Sequence, residues 1–123
     1  AAEWVLENEE TQHLRLGFFG ASTGVAAALV AETRMKGKIG AIVSRGGRPD
    51  MAEAYLALVA APTLLIVGGR DEAVIQMNQR AFDMLHCEKQ LRIVDGATHL
   101  FPEPGALEQV AKLASLWFGQ YLK

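Results

Sequence analysis

At 123 residues, half of them apolar, the chain is the length of one small domain and can bury a single core. Twelve Lys and Arg against fourteen Asp and Glu leave a net charge of −2, which excludes the basic footprint of a nucleic-acid binder. A single cysteine, Cys87, excludes a disulfide framework and points to a reducing, cytoplasmic setting, while the longest apolar stretch, Leu56 to Val67, is broken by Pro62 and too short to span a bilayer.

Taken in chain order, Ala1 to Gln12 end the chain's first segment, in which Trp4-Val5-Leu6 reads as the tail of a helix. Leu14–Phe19 reads as a buried strand and Thr23–Met35 as an alanine-rich helix, with Gly20-Ala21-Ser22-Thr23-Gly24 at the junction. His13 precedes that strand, at the wrong end of a sheet for catalysis. A second strand is expected over Gly40–Val43 and a helix over Met51–Leu58, where Asp50 and Glu53 resemble a capping box. Pro62-Thr63-Leu64-Leu65-Ile66-Val67 is an apolar, β-branched run, so Thr63–Val67 is expected to be a parallel strand buried on both faces. Gly68-Gly69-Arg70-Asp71 follows, then a helix over Glu72–Leu85. His86 and Cys87 are sequence neighbours that point apart on a helix, so they make neither a dyad nor a metal site. Gln90–Val94 is the fourth strand, and a last helix over Gly105–Tyr121 carries Leu107, Val110, Ala114, Trp117, Phe118 and Tyr121 on one stripe read as core packing, with Pro104 presetting its first turn.

Strands alternating with helices predict an α/β fold, a parallel sheet of about four strands with flanking helices and right-handed crossovers. Residues 1–123 read as one domain, with no repeat, linker or low-complexity tract.

The junction carries the chemistry. G-x-S-x-G between a strand and a helix is the pattern of a nucleophile elbow, a turn so tight that glycine at 20 and 24 is expected in order to remove colliding Cβ atoms. Ser22 would project above the sheet, with the Thr23 N–H facing a developing oxyanion at the helix N-terminus. A serine hydroxyl needs a base to take its proton, and the base needs a carboxylate to orient it. Asp71 and His99 supply those types, each just past the C-terminal end of a strand, where open α/β sheets place their sites. By itself Asp71 also suits the N-cap of the helix after it, His99 suits a surface loop, and Glu72 is a second candidate acid. Arg45 and Arg48, flanking Gly46-Gly47, are candidate contacts for an anionic substrate group or solvated arginines of a flexible turn. Neither a metal nor a cofactor is expected.

The segments Gly17–Gly24, Leu64–Asp71 and Gly96–Phe101 resemble the C-terminal half of an α/β-hydrolase of the dienelactone hydrolase type. Ser44-Arg45-Gly46-Gly47-Arg48-Pro49-Asp50 is similar to a bacterial subgroup in which such a domain is often fused behind a phosphoribosyltransferase domain. The resemblance implies Ser22 as nucleophile, Asp71 as acid and His99 as base of a carboxylesterase-like hydrolase of small esters or thioesters. Two departures stand out. Dienelactone hydrolases proper carry cysteine at the position of Ser22, and the family's early strands, one of whose loops supplies a second oxyanion N–H, have no counterpart before Leu14. The alternative is therefore a half-domain that keeps the triad without a complete oxyanion hole and serves as a folding or interaction unit. With its neighbouring strand absent, Leu14–Phe19 becomes an open edge, and pairing of two copies along it predicts a homodimer.

Overall fold

In the computed structural model, residues 16–21, 24–34 and 39–122 are described. The expectations placed on Trp4-Val5-Leu6, His13, Leu14, Ser22, Thr23 and Met35 fall outside them. Strand β1 (Leu16–Ala21) leads to helix α1 (Gly24–Arg34) and β2 (Ile39–Arg45); a 3₁₀ segment (Pro49–Leu58) leads to β3 (Thr63–Gly68), α2 (Glu72–Met84), β4 (Lys89–Val94) and α3 (Ala106–Tyr121). The four strands form one parallel sheet in the order β1-β2-β3-β4.

The period-two alternation of β2 and β3 builds a core on each face. Ile42 and Leu65 point to one side, where they pack with Val25 and Leu29 of α1, Leu56 of the 3₁₀ segment and Leu85 after α2. Ala41, Val43, Leu64 and Ile66 point to the other, against Phe101 and Ala106, Val110, Ala114 and Trp117 of α3. Both central strands are therefore apolar at consecutive positions, as expected where helices cover both faces. Trp117 Nε1 donates to the Pro62 carbonyl at 3.2 Å, tying α3 to the start of β3 while its ring fills the core. Glu32, 3 % exposed, accepts the Ala60 and Ala61 N–H groups at 2.8 and 3.2 Å and so satisfies two donors in the turn before β3.

Several local expectations are corrected. The segment after β2 is 3₁₀ rather than α-helical: Pro49 stands in its first turn, and Ala52 at φ −106°, ψ 25° breaks the run. Asp50 makes no capping box; its carboxylate takes both Nε and Nη2 of Arg48 at 3.1 Å. On α3, Leu107 is 50 % exposed, and Ala106 and Leu113 take part in the core instead. The helix begins one residue later than expected, after Gly105 at φ 81°, and its buried stripe runs through Ala106, Val110, Ala114 and Trp117, which leaves Leu107 facing outward. On β1, at one end of the sheet among the described residues, Phe18 packs into the first core cluster, whereas Phe19 is 46 % exposed. Cys87 lies beside Thr63 Oγ1, and burial pushes its thiol pKa up, as befits an unreactive thiol. Among the described residues no helix is long and apolar enough to cross a membrane.

Candidate active site

The site forms where the loops after β3 and β4 meet. These strands are adjacent and parallel, their last residues pairing Gly68 with Val94, so their loops leave side by side. The Gly69 N–H donates to the Val94 carbonyl at 2.8 Å and the Arg70 N–H to the Ala97 carbonyl at 3.0 Å. Gly68 permits this closeness: a Cβ there would run into the Ala97 carbonyl.

Asp71 is the N-cap residue of α2, yet its side chain makes no cap hydrogen bond. It reaches across to the neighbouring loop, where its Oδ2 lies 2.9 Å from His99 Nδ1. A carboxylate only accepts, so Nδ1 carries the hydrogen and donates it, which makes Nε2 the basic nitrogen of the neutral ring. The carboxylate is 17 % exposed and the imidazole 40 %, so the acid is shielded while the ring remains reachable from solvent. Glu72, the other candidate acid, is exposed in the first turn of α2.

The His99 loop is held by a latch that the sequence analysis does not identify. Glu103 accepts the Thr98 N–H at 2.9 Å and the Thr98 hydroxyl at 2.7 Å, and these bonds, the backbone one first, hold its pKa below the usual carboxylate value. A carboxyl whose folded pKa is depressed contributes stability that is present above its unfolded pKa and lost as pH falls through the folded one. Glu103→Gln is therefore expected to lower the urea midpoint at neutral pH, and its curve should converge with wild type between about pH 6 and about pH 3. A constant offset across that range would remove the carboxylate from the latch. Within it, Phe101 turns at φ 57° and buries its ring, 1 % exposed, in the second core cluster, which anchors the loop. Left-handed backbone costs a bulky residue about 1–3 kcal/mol, which burial of the ring offsets.

The loop after β2 supplies a third wall. Gly46, at φ 55°, lies against the histidine: a Cβ there would stand 3.1 Å from the His99 carbonyl and 3.3 Å from Nδ1. The Gly46-Gly47 pair, read from sequence as a flexible turn, is thus a close-approach surface. Arg45 ends β2 opposite Ala21 of β1, with its guanidinium 5.9 Å from the Phe101 ring centroid and its Nε buried without a hydrogen-bond partner. Arg48 pairs with Asp50 at 3.1 Å, which raises its pKa by hydrogen bonding and charge.

Ser22 and Thr23 lie outside the described residues; β1 ends at Ala21 before them and α1 begins at Gly24 after them. The two elbow glycines differ. A Cβ at Gly20 would stand 3.1 Å from both the Phe18 ring and Val25 Cγ2, whereas one at exposed Gly24 would meet nothing within 4 Å among the described residues. Among the described residues no group of three or more His, Cys, Asp or Glu could hold a metal ion.

No family model matches the chain. It is 56% identical over 119 residues to two Mycobacterium tuberculosis proteins named as phosphoribosyl transferases, an alignment that covers 97% of this chain and 27% of theirs. Among solved structures, a dienelactone hydrolase from Anabaena variabilis is 55% identical with a TM-score of 0.95, covering all of this chain and 57% of that one. The esterase domain of a Rhodothermus marinus protein (17% identity, TM-score 0.80, 96% of this chain and 65% of that one) and the Paleococcus ferrophilus monoacylglycerol lipase (15%, 0.76, 96% and 74%) share the fold. The chain thus spans a little over half the length of the dienelactone hydrolase and about a quarter of the Mycobacterium proteins. Its parallel sheet and its match, along its own whole length, to 57% of that hydrolase give the chain an α/β-hydrolase-like fold and a resemblance to the hydrolases of the dienelactone hydrolase type.

Proposed function

We propose that the chain carries the catalytic residues of a serine hydrolase that cleaves small esters or thioesters through an acyl-enzyme. The observation that carries this reading is the hydrogen bond of 2.9 Å between His99 Nδ1 and Asp71 Oδ2, made at the C-terminal rim of the sheet and not within either residue's own segment. An Asp71 that merely capped its helix would have turned back to the N–H groups of α2. In the proposed reaction Ser22 Oγ attacks the substrate carbonyl carbon as His99 Nε2 takes the hydroxyl proton. The tetrahedral oxyanion is met by the Thr23 N–H, and collapse expels the alcohol or thiol, which receives the proton from Nε2. Water then repeats the sequence on the acyl-serine and releases the acid. Asp71 stays ionised throughout, holding the tautomer and stabilising the imidazolium. Arg45, which lies beside the end of β1, and Arg48 are the arginines proposed to meet an anionic group on the substrate. We assign the phosphoribosyl transfer in the Mycobacterium proteins' name to the three-quarters of their length that this chain does not match.

The test is covalent labelling. A fluorophosphonate probe should modify Ser22 and no other serine, and Ser22→Ala should abolish both labelling and hydrolysis of p-nitrophenyl acetate. Labelling that survives the substitution, or that never occurs on folded protein, sinks the nucleophile assignment.

A further inference from the structure

We propose that Asn78 is a positioning residue for His99, acting through the Gly46-Gly47 strap; the proposal rests on the reading of His99 as the base. Asn78 sits in the second turn of α2 and is fully buried. A primary amide in such a place is costly unless its hydrogens are used. Both are: Nδ2 donates to the Val74 carbonyl at 2.9 Å, within the helix, and to the Gly47 carbonyl at 3.0 Å, thirty-one residues away in sequence. Its Oδ1 has no partner, a further cost, and the neighbouring buried residues Ala81 and Leu85 are apolar. Packing alone would be served by leucine, which has nearly the same shape. What the amide uniquely does is hold Gly47.

The Gly47 carbonyl belongs to the strap joining β2 to the 3₁₀ segment. From the sheet side the strap is held by Gly46 N–H, which donates to the Ile66 carbonyl at 2.7 Å. The Cα of Gly46 faces the ring so closely that a Cβ would stand 3.3 Å from Nδ1, the very atom that binds Asp71. Helix α2 therefore governs the pair twice. Its N-cap holds the imidazole directly through Asp71, and its second turn holds, through Asn78, the wall that stops the ring from tilting out of that bond. Without the bond to Asn78, a buried carbonyl is left unsatisfied and the strap is free to shift against the ring.

The experiment compares wild type, Asn78→Leu, Gly46→Ala and His99→Ala in p-nitrophenyl acetate hydrolysis. Folding is checked by circular dichroism, and the downfield proton resonance of Nδ1–H serves as the spectroscopic reporter. Asn78→Leu and Gly46→Ala are expected to lower kcat by about tenfold to a hundredfold, the cost of misplacing a catalytic group, with KM changed by less than about twofold. The Nδ1–H resonance should shift or broaden in both. A packing role alone would lower stability and leave kcat per folded molecule and the resonance unchanged, and that result in Asn78→Leu overturns the proposal. If Asn78→Leu does not fold, Gly46→Ala decides, and wild-type kcat with an unmoved resonance there overturns it. Wild-type turnover in His99→Ala instead overturns the base assignment itself, so the two failures are told apart.

Discussion

Asp71→Asn is expected to leave the fold intact and to lower the turnover of a small activated ester by ~10³–10⁴, the size of effect known for the equivalent change in a serine hydrolase triad. The physical reason is the tautomer. Asp71 Oδ2 stands 2.9 Å from Nδ1 and accepts its hydrogen. An amide placed there can donate through its NH₂, which favours the tautomer with hydrogen on Nε2 and removes the lone pair that must accept the serine proton. The loss should fall on kcat and not on KM, because the proposed role of the carboxylate is to orient the base. Little loss of stability is expected, since the side chain caps no N–H of α2. If Glu72→Gln were to do the damage instead, the acid would be the exposed neighbour and the observed hydrogen bond would be incidental.

Gly68→Ala should combine a structural and a catalytic effect. A Cβ at the end of β3 would overlap the Ala97 carbonyl oxygen and stand 2.9 Å from both the Ala97 carbonyl carbon and the Thr98 carbonyl oxygen. These are backbone atoms, so no side chain can swing away. Either β3 retreats or the loop bearing His99 is pushed outward, and overpacking of this kind costs about 1–3 kcal/mol. Because Arg70 N–H bonds Ala97 across the same gap, displacement parts Asp71 from His99. Turnover should therefore fall further than the folded fraction does. Gly119→Ala is the internal control: a Cβ there meets nothing within 4 Å on the exposed side of α3, so this change should raise stability by about 0.5–1 kcal/mol through helix propensity alone. Urea melts and turnover of both variants check the pair, and a Gly68→Ala protein as active and stable as wild type would mean the two loops are not locked together as described.

The strand segments were legible in the sequence because their signal is local. β2 and β3 are buried on both faces, and Ile39 to Val43 and Leu64 to Val67 announce that as nearly unbroken apolar runs. The positions of Asp71 and His99 were legible for the same reason, each following a strand and a turn marked by glycine. Which partner Asp71 takes was implied by the resemblance and not by the residue's own position. A helix N-cap and an acid that orients a histidine occupy the same place after a strand, and only the adjacency of β3 and β4, which brings residues 28 apart in sequence to 2.9 Å, decides between them. The same limit explains the other differences. Asp50 looks like a cap until Arg48 claims it, and the need for glycine at 68 shows only once the backbone of another loop is found against it. Asn78 looks like an ordinary helix residue until Gly47 is found against it. Composition and periodicity determine which segments form strands and helices, because each segment's own residues bear that cost. The tertiary structure alone decides what a polar side chain does, because its partner is chosen by which strands lie side by side.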